Sequence, residues 1–424
     1  MNPSEPMTEH LRTSCCIVGG GPAGMMLGLL LARAGVEVVV LEKHADFFRD
    51  FRGDTIHPSS LELIYELGLL DEFLRLPHQK LEYISACVNG ETVPVADLSS
   101  LPTHCKYIAF MPQWDFLNFI AEQAKRYPCF HLRLQSEAIA LIENAGHIAG
   151  VKAATPGGEL DVYADLVVAA DGRFSVIRER AKLPVVDHGV PIDVLWLRLS
   201  KQNSDPSASL GHLRAGRMMV MIDRGEYWQC GIVIAKDGFT AIQQQGIDAF
   251  RNAIIELVPF MAGRVGEISA WDDVKLLTVQ INRLKHWYRP GLLCIGDAAH
   301  AMSPAGGVGV NFAIQDAVAT ANNLAAKLRN GHVSVDDLRH IQRRREWPTR
   351  MIQGLQAFIH QRVGRGESGA PATGLPLPVR LLRDRPLLRK IPARIIGLGF
   401  RPEHIRSPDV WDKSSRDYQD QLGR

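Results

Sequence analysis

The sequence predicts an α/β fold in which a parallel-sheet domain is assembled from separated stretches of chain and a mostly β second domain is inserted into it. Three observations predict it. A short apolar run at residues 15–18 enters Gly19-Gly20-Gly21-Pro22-Ala23-Gly24, an apolar helical stretch follows, and a Val-rich strand at 36–41 runs directly into Glu42. Far downstream, the apolar run 292–295 delivers Gly296-Asp297, and Pro304-Ala305-Gly306-Gly307-Val308-Gly309 opens a second helix at Val310-Asn311. Between them, residues 185–280 change to strand-like alternation.

The first helix is expected over 22–34, with Gly35 where a helix C′ glycine belongs. Strand, helix and strand, with an acid about 20 residues past the glycines, form the βαβ context that a dinucleotide fingerprint requires. Ser59 and Glu62 have capping-box spacing and open a second helix, which Gly68 stops. Runs 83–88 and 93–98 flank Asn89-Gly90, a hairpin signal. Asp115 is expected to cap a helix reaching about Arg126, and residues 130–170 read as a β-meander ending in Asp171-Gly172. Runs 192–199, 218–222 and 227–234 read as strands, and 246–258, 311–328 and 335–363 as helices. The expected whole is a discontinuous Rossmann-like α/β domain (1–75, 100–184 and 281–365), an inserted mostly β substrate domain (76–99 and 185–280), and a helical C-terminal region with a tail at 366–424.

A chain of 424 residues suits two intimately joined domains, and 46% hydrophobic with 22% charged residues excludes disorder. A net charge of +2 makes no electrostatic case for a nucleic-acid partner. The seven cysteines include no Cys-x-x-Cys, and no histidine cluster has ligand spacing, so no metal is expected and a reducing compartment is. Residues 1–13 lack the basic start and apolar core of a signal peptide, and no apolar run approaches the roughly 18–20 residues needed to span a bilayer. The expectation is a cytoplasmic protein.

At Gly19, Gly21 and Gly24 the missing side chains permit a tight turn, close approach of backbone to a pyrophosphate, and close helix–strand packing. The helix that follows aims its amides at the phosphates. Glu42 is placed for the adenosine ribose, and Asp297 for the ribityl hydroxyls of the other half. Gly306, Gly307 and Gly309 let backbone pass close to a flat ring, and the amides at Val310 and Asn311 point where negative charge gathers on a reduced flavin. The two glycine clusters together imply one FAD gripped from both ends of the chain.

These three fingerprints, Gly-x-Gly-x-x-Gly with its downstream Glu, Asp171-Gly172, and Gly296-Asp297-Ala298-Ala299-His300, resemble those of the group A flavoprotein monooxygenases, of the para-hydroxybenzoate hydroxylase and ubiquinone-biosynthesis hydroxylase type. The resemblance covers most of 14–365 and is least specific in the middle domain. It implies that Gly19, Gly21, Ala23 and Gly24 line the pyrophosphate, that Glu42, with Lys43 beside it, takes the ribose, and that Arg52 lies along the pyrophosphate. It assigns Gln113 to the ribityl and phosphate region, Asp171 to FAD and the nicotinamide, and Asp297 to the ribityl chain. Pro304 and Gly306 fall at the flavin's reacting edge, with Gly307, Gly309, Val310 and Asn311 beside the ring. The implied reaction uses NADH or NADPH, bound transiently, to reduce FAD. O2 then adds to give a C4a-hydroperoxide, which transfers oxygen to an electron-rich, aromatic small molecule. Val308 stands where para-hydroxybenzoate hydroxylase has a lysine.

Three alternatives are weighed. A flavin-dependent halogenase shares such a domain but carries Trp-x-Trp-x-Ile-Pro and an essential lysine, from which Tyr227-Trp228-Gln229-Cys230-Gly231-Ile232 and Lys80 depart. The others are a prenyl double-bond reductase and a non-catalytic FAD-binding protein. His300 is expected to pack and hydrogen-bond rather than act as a base, while His188, His212, Arg217, Tyr227 and Trp228 are candidates to reach substrate. Residues 378–406 carry eight Arg/Lys among apolar positions. A basic helix docked on its own domain is the first reading of that segment, and weak contact with an anionic membrane surface is the second.

Overall fold

In the computed structural model, described over residues 8–48, 55–206, 211–214, 216–364 and 377–411, the first strand, Glu9–Val18, pairs in parallel with both Gly158–Ala169 and Val38–Leu41. Leu292–Cys294 adds in parallel outside Gly158–Ala169, and Phe130–Arg133 outside Val38–Leu41. These five parallel strands form the core of an eight-stranded sheet, extended antiparallel by Glu137–Asn144, His147–Thr155 and Tyr288–Arg289. Register decides where the site forms. Val18 lies opposite Leu41 and Ala169, and Ala169 opposite Cys294. Four strands therefore end along one edge and release Gly19, Glu42, Asp171 and Asp297 there. Chain order turns back at the central strand, the kind of crevice in which open parallel sheets bind ligands.

The helices that matter below are α1 (Pro22–Arg33), α2 (Pro58–Glu66), α3 (Gln113–Ala124), α4 (Val176–Arg180), α5 (Ile247–Leu257), α6 (Gly309–Arg329), α7 (Val335–Gly364), α8 (Leu377–Asp384) and α9 (Lys390–Gly397). Helix α1 is apolar all round because Ala23 through Ala32 are all buried, and it packs against α6.

A seven-stranded sheet runs Lys275–Leu277, Ile192–Ser200, Tyr227–Ala235, Arg217–Asp223, Gly211–Arg214, Tyr83–Val88, Glu91–Asp97. Alternation gives it two faces. Leu195, Leu197, Leu199, Met219, Met221 and Cys230 pack on Phe250, Ile254 and Leu257 of α5. The opposite face carries Trp196, Arg198, Gln229 and Gly231, with Ile84 and Ile222 clustered on Ile108 and Phe110.

Several local expectations are corrected. Helix α2 starts at Pro58 with His57 as its uncapped N-cap. Glu62 instead accepts from the His104 amide at 3.0 Å, so a tertiary partner draws it out of the capping box. Helix α3 begins at Gln113 after Pro112, leaving Asp115 in its first turn rather than at the cap. Phe130–Arg133 leaves the proposed meander to join the parallel core, and Gly246, at φ +90°, splits off a separate helix, Phe239–Gln245. Within the described part of the tail, the basic segment read as a docked helix folds as α8, a 3-10 turn Pro386–Arg389, and α9. It packs on strand Glu91–Asp97 with Ala393 buried. Among the described residues, no helix is long and apolar enough to cross a membrane.

Candidate active site

Gly19 sits at φ +107°, and a Cβ there would overlap the Ala170 carbonyl. A Cβ on Gly24 would overlap the Gly19 carbonyl, so the turn and helix α1 are pressed together as a glycine-only junction. Gly21 has open space around it and N-caps α1 with no side chain, leaving the first-turn amides facing out of the sheet edge. Glu42 is buried and braces this turn. Its Oε2 accepts from the Gly20 amide at 2.9 Å and its Oε1 from the His44 amide at 3.1 Å. Lys43 is exposed beside it. Arg52 lies outside the described residues.

The second grip reaches the same edge. Gly296, at φ +58°, brings the Asp297 turn so close that a Cβ on it would stand 3.2 Å from the Ala23 Cβ and 3.4 Å from the Ala313 Cβ. The two fingerprints are thus in contact through Ala23. Asp297 is half-exposed, with Arg173 Nη2 at 3.5 Å. Asp171 is turned inward: its carboxylate accepts from Ser175 Oγ and from the Ile177 amide at 3.2 Å, tying down the start of α4. Burial pushes the Asp171 carboxyl up, with those hydrogen bonds opposing. From α4, Arg178 donates to the Ala298 carbonyl at 3.2 Å and the Arg173 carbonyl at 2.7 Å, which links the Asp171-Gly172 turn to the Asp297 turn.

The loop from Pro304 is held from two sides. Gly307 is at φ +62° against Thr55, whose Oγ1 donates to the Gly307 carbonyl at 2.9 Å. Asn311 is a buried staple: its Nδ2 donates to the Thr55 and Gly307 carbonyls, and its Oδ1 accepts from the His57 amide and Ser60 Oγ. Its side chain is therefore spent on protein, and only backbone amides of Gly309, Val310 and Asn311 remain for a ligand at the start of α6. Gly306 is exposed at φ +82°, with only Val308 Cγ1 at 3.7 Å from a Cβ built there. Any side chain at 306 is strained by its backbone before it meets a neighbour. Gln113 is half-buried at the first position of α3.

Sequence reasoning missed the supports behind this loop. On α7, Gln353 donates to the Asn282 and Ala301 carbonyls, and Gln356 donates to Ser303 O and Ala305 O while accepting from Ser303 N. His360 meets Ser303 Oγ at 3.0 Å. Gln342, Gln353, Gln356 and His360 recur on one face of α7, a pattern that could have marked a polar seam. Deeper still, Asp316 accepts from the Gly296 amide at 3.0 Å and Arg345 Nε at 2.8 Å, and meets His300 Nε2 at 2.6 Å. His300 is thus a buried partner of Asp316, as its sequence context implied.

Two buried histidines make the fold acid-sensitive. Burial pushes His57, which is held to the Ile396 carbonyl at 2.7 Å, and His360 down to about 4 from the ordinary 6.5. Both are neutral at neutral pH. Between 6.5 and about 4 the unfolded chain binds protons that the folded one refuses, so stability falls with pH through that window and levels below it. Urea midpoints measured from neutral pH to about 4 are expected to decline steadily; a flat profile contradicts this assignment.

The sheet face opposite α5 is linked to the same loop through packed strands. Ile84 and Ile222 pack on strand Ile108–Phe110, which pairs with Thr55–Ile56, and Thr55 holds Gly307. On this face Trp196 lies across Gly231, where a Cβ would stand 3.1 Å from its ring. Arg198 stacks 5.1 Å from the Tyr227 ring centroid, and Arg224 donates twice to Gln229 Oε1 at 3.0 Å. His212 and Trp228 instead point to the α5 side, against Phe260 and Asp205 respectively, and Arg217 pairs with Glu256. Lys80 stacks 4.7 Å over the Tyr107 ring.

Four carboxyl strand ends at one edge, a glycine-only turn before α1, and a second helix start beside it form a cradle whose shape and donors fit FAD. Residues 12–353 match the FAD binding domain family. The chain belongs to that family. It is 30% identical over 397 residues to 6-methylpretetramide 4-monooxygenase of Streptomyces rimosus, covering 91% of this chain and 93% of that one. In fold it is similar to PqsL, a probable FAD-dependent monooxygenase from Pseudomonas aeruginosa (TM-score 0.70, 21% identity, 84% and 99% covered). It is also similar to the myxobacterial chondrochloren halogenase CndH (TM-score 0.71, 19% identity, 91% and 90% covered). This FAD-binding protein is therefore an oxidoreductase of the FAD-binding monooxygenase family. That is a broader placement than the para-hydroxybenzoate hydroxylase type, and it acts as an FAD-dependent monooxygenase on a small organic substrate.

Proposed function

We propose that this protein is a group A enzyme that hydroxylates a planar, electron-rich aromatic compound with NADH or NADPH and O2. The observation that carries the reading is the sheet face bearing Trp196 and Tyr227, joined through Ile108–Phe110 and Thr55 to the Pro304–Gly309 loop. A flat platform flanked by an aromatic ring suits a fused-ring phenol. Such a substrate agrees with the relative named for 6-methylpretetramide.

When bound, FAD supplies the redox chemistry, taking hydride from the nicotinamide and activating O2 for transfer to carbon. The chain's residues do the rest. Gly19, Gly21, Ala23 and Gly24 hold the pyrophosphate on α1, Glu42 the ribose with Lys43 at its rim, and Asp297 the ribityl chain. Gln113 meets the ribityl and phosphate region, and Arg52 the pyrophosphate. Asp171 acts through the α4 start and Arg178, setting the Asp297 turn. Pro304 stiffens the wall that Gly306, Gly307 and Gly309 keep thin, while amides at Val310 and Asn311 face the ring. That wall excludes water while Trp196 orients the target carbon.

The test is nicotinamide oxidation and O2 uptake by holoprotein with and without fused-ring phenols, with isotopic O2 tracing the new hydroxyl. One oxygen atom from O2 in the product is expected. A product requiring halide, or substrate reduction without O2 uptake, contradicts the reading. Trp196→Ala is expected to raise the aromatic KM by about fivefold, from the roughly 0.5–1.5 kcal/mol of an aromatic contact, with substrate-free nicotinamide oxidation unchanged.

A further inference from the structure

The tail resolves the two sequence readings in an unexpected way: it docks on its own domain and still turns an apolar, basic side outward. Ile395 of α9 packs with Ile352 of α7, in the cluster that contains Met302, Val308 and Phe312. One turn before Ile395, Ile391 is 58% exposed, and Leu387 just ahead of it is 75% exposed. Along α7, Leu355 and Ile359 continue from Ile352 at helical spacing and are 37% and 42% exposed. Leu381 of α8 is 44% exposed. Large aliphatic groups left in water at this density mark an interaction surface rather than ordinary scatter.

The charge around them states the partner's chemistry. Residues 377–401 hold seven Arg/Lys against a single acid, Asp384, which Arg383 engages. Arg383 also pairs with Glu91, and Arg389 is used internally, donating to the Leu382 and Arg383 carbonyls. Arg380, Arg385, Lys390 and Arg394 are exposed alongside the aliphatic positions. Exposed aliphatic groups interleaved with cations on short amphipathic helices complement the interface of an anionic bilayer, where acyl chains take the first and headgroups the second.

We propose that α8, α9 and the outer side of α7 form a docking surface for an anionic lipid bilayer. Docking is peripheral and reversible, since four cations and a few aliphatic side chains do not anchor a protein permanently. Because Ile395 and Ile352 share a cluster with Met302 and Val308, the surface is continuous with the back of the Pro304–Gly309 loop. It does not depend on which aromatic compound the enzyme takes.

The test uses full-length, FAD-loaded protein and vesicles of phosphatidylcholine alone or mixed with phosphatidylglycerol. Flotation with the anionic vesicles, weakened by salt, and none with the neutral ones is expected. Removing Lys390 or Arg394 (Lys390→Ala, Arg394→Ala) should weaken binding about fivefold each, the factor that corresponds to one cation near such a surface. Leu387→Glu combined with Ile391→Glu should abolish flotation, with FAD content and thermal unfolding reporting that the fold is intact. Absence of flotation by the unmodified protein overturns the proposal. So does equal binding to neutral vesicles, unchanged binding of the variants, or a lipid-free dimer that the Leu387→Glu/Ile391→Glu variant dissolves.

Discussion

Replacing Asp316 with alanine is expected to cost about 3–5 kcal/mol of stability, the range for breaking a buried ion pair by removing one partner. The Asp316 side chain is fully buried between His300 and Arg345, themselves almost fully buried. Burial alone would raise its carboxyl, but the facing His300 and the Arg345 guanidinium outweigh it and hold it below the ordinary carboxylate range. The sign follows. A depressed folded value stabilises the fold at every pH above the unfolded carboxylate value of about 3.9 and is lost as pH falls through the lower folded value. At neutral pH the full loss should therefore appear in Asp316→Ala. The variant also strips the acceptor from the Gly296 amide, so the Asp297 turn loosens and FAD should leave faster. Asp316→Asn, which keeps the shape but not the charge, should fall between. Thermal unfolding and FAD release measure both effects, and a loss under about 1 kcal/mol contradicts the claim that this triad braces the cofactor turn.

The second large effect concerns FAD itself. Glu42→Ala and Asp297→Ala should each remove charge-assisted hydrogen bonds of about 1.5–3 kcal/mol, roughly tenfold or more in FAD affinity. Glu42 also holds the Gly20 and His44 amides, so part of its loss arises from a slackened turn. Asp297 is half-exposed with Arg173 as its ion-pair partner, so its loss should fall mainly on the ligand.

Much of this site was legible in the sequence because glycine, unlike other residues, advertises backbone geometry. At Gly19 and Gly24 a side chain has no room and at Gly296 it is tight with φ +58°, and the strands before them are short apolar runs with few alternatives. Glu42 directly follows the strand Val38–Leu41 and Asp297 comes three residues after Leu292–Cys294, so both lie at the edge that the short apolar runs point to. What stayed hidden depends on partners far away in sequence. The capping signal at Ser59 and Glu62 fails because Glu62 turns to His104, and the Asn311 side chain, beside the amide read in sequence, holds Thr55, Gly307, His57 and Ser60. Asp316 and Arg345 sit in helices whose local pattern gives no hint of buried charge, whereas the Gln353, Gln356 and His360 seam leaves a helical spacing that could be read. Asp171 reads as a cofactor contact in sequence, while its oxygens are turned to the start of α4.

The central claim is that two distant stretches grip opposite halves of one FAD. The most direct test titrates FAD into the unmodified apoprotein, Glu42→Ala, Asp297→Ala and the double variant, with ADP and riboflavin as competing fragments. Glu42→Ala should weaken FAD and ADP while sparing riboflavin, Asp297→Ala should weaken FAD and riboflavin while sparing ADP, and the double variant should combine both losses. If both single variants keep FAD at unmodified affinity, or if both act on the same fragment, the two-ended grip is wrong.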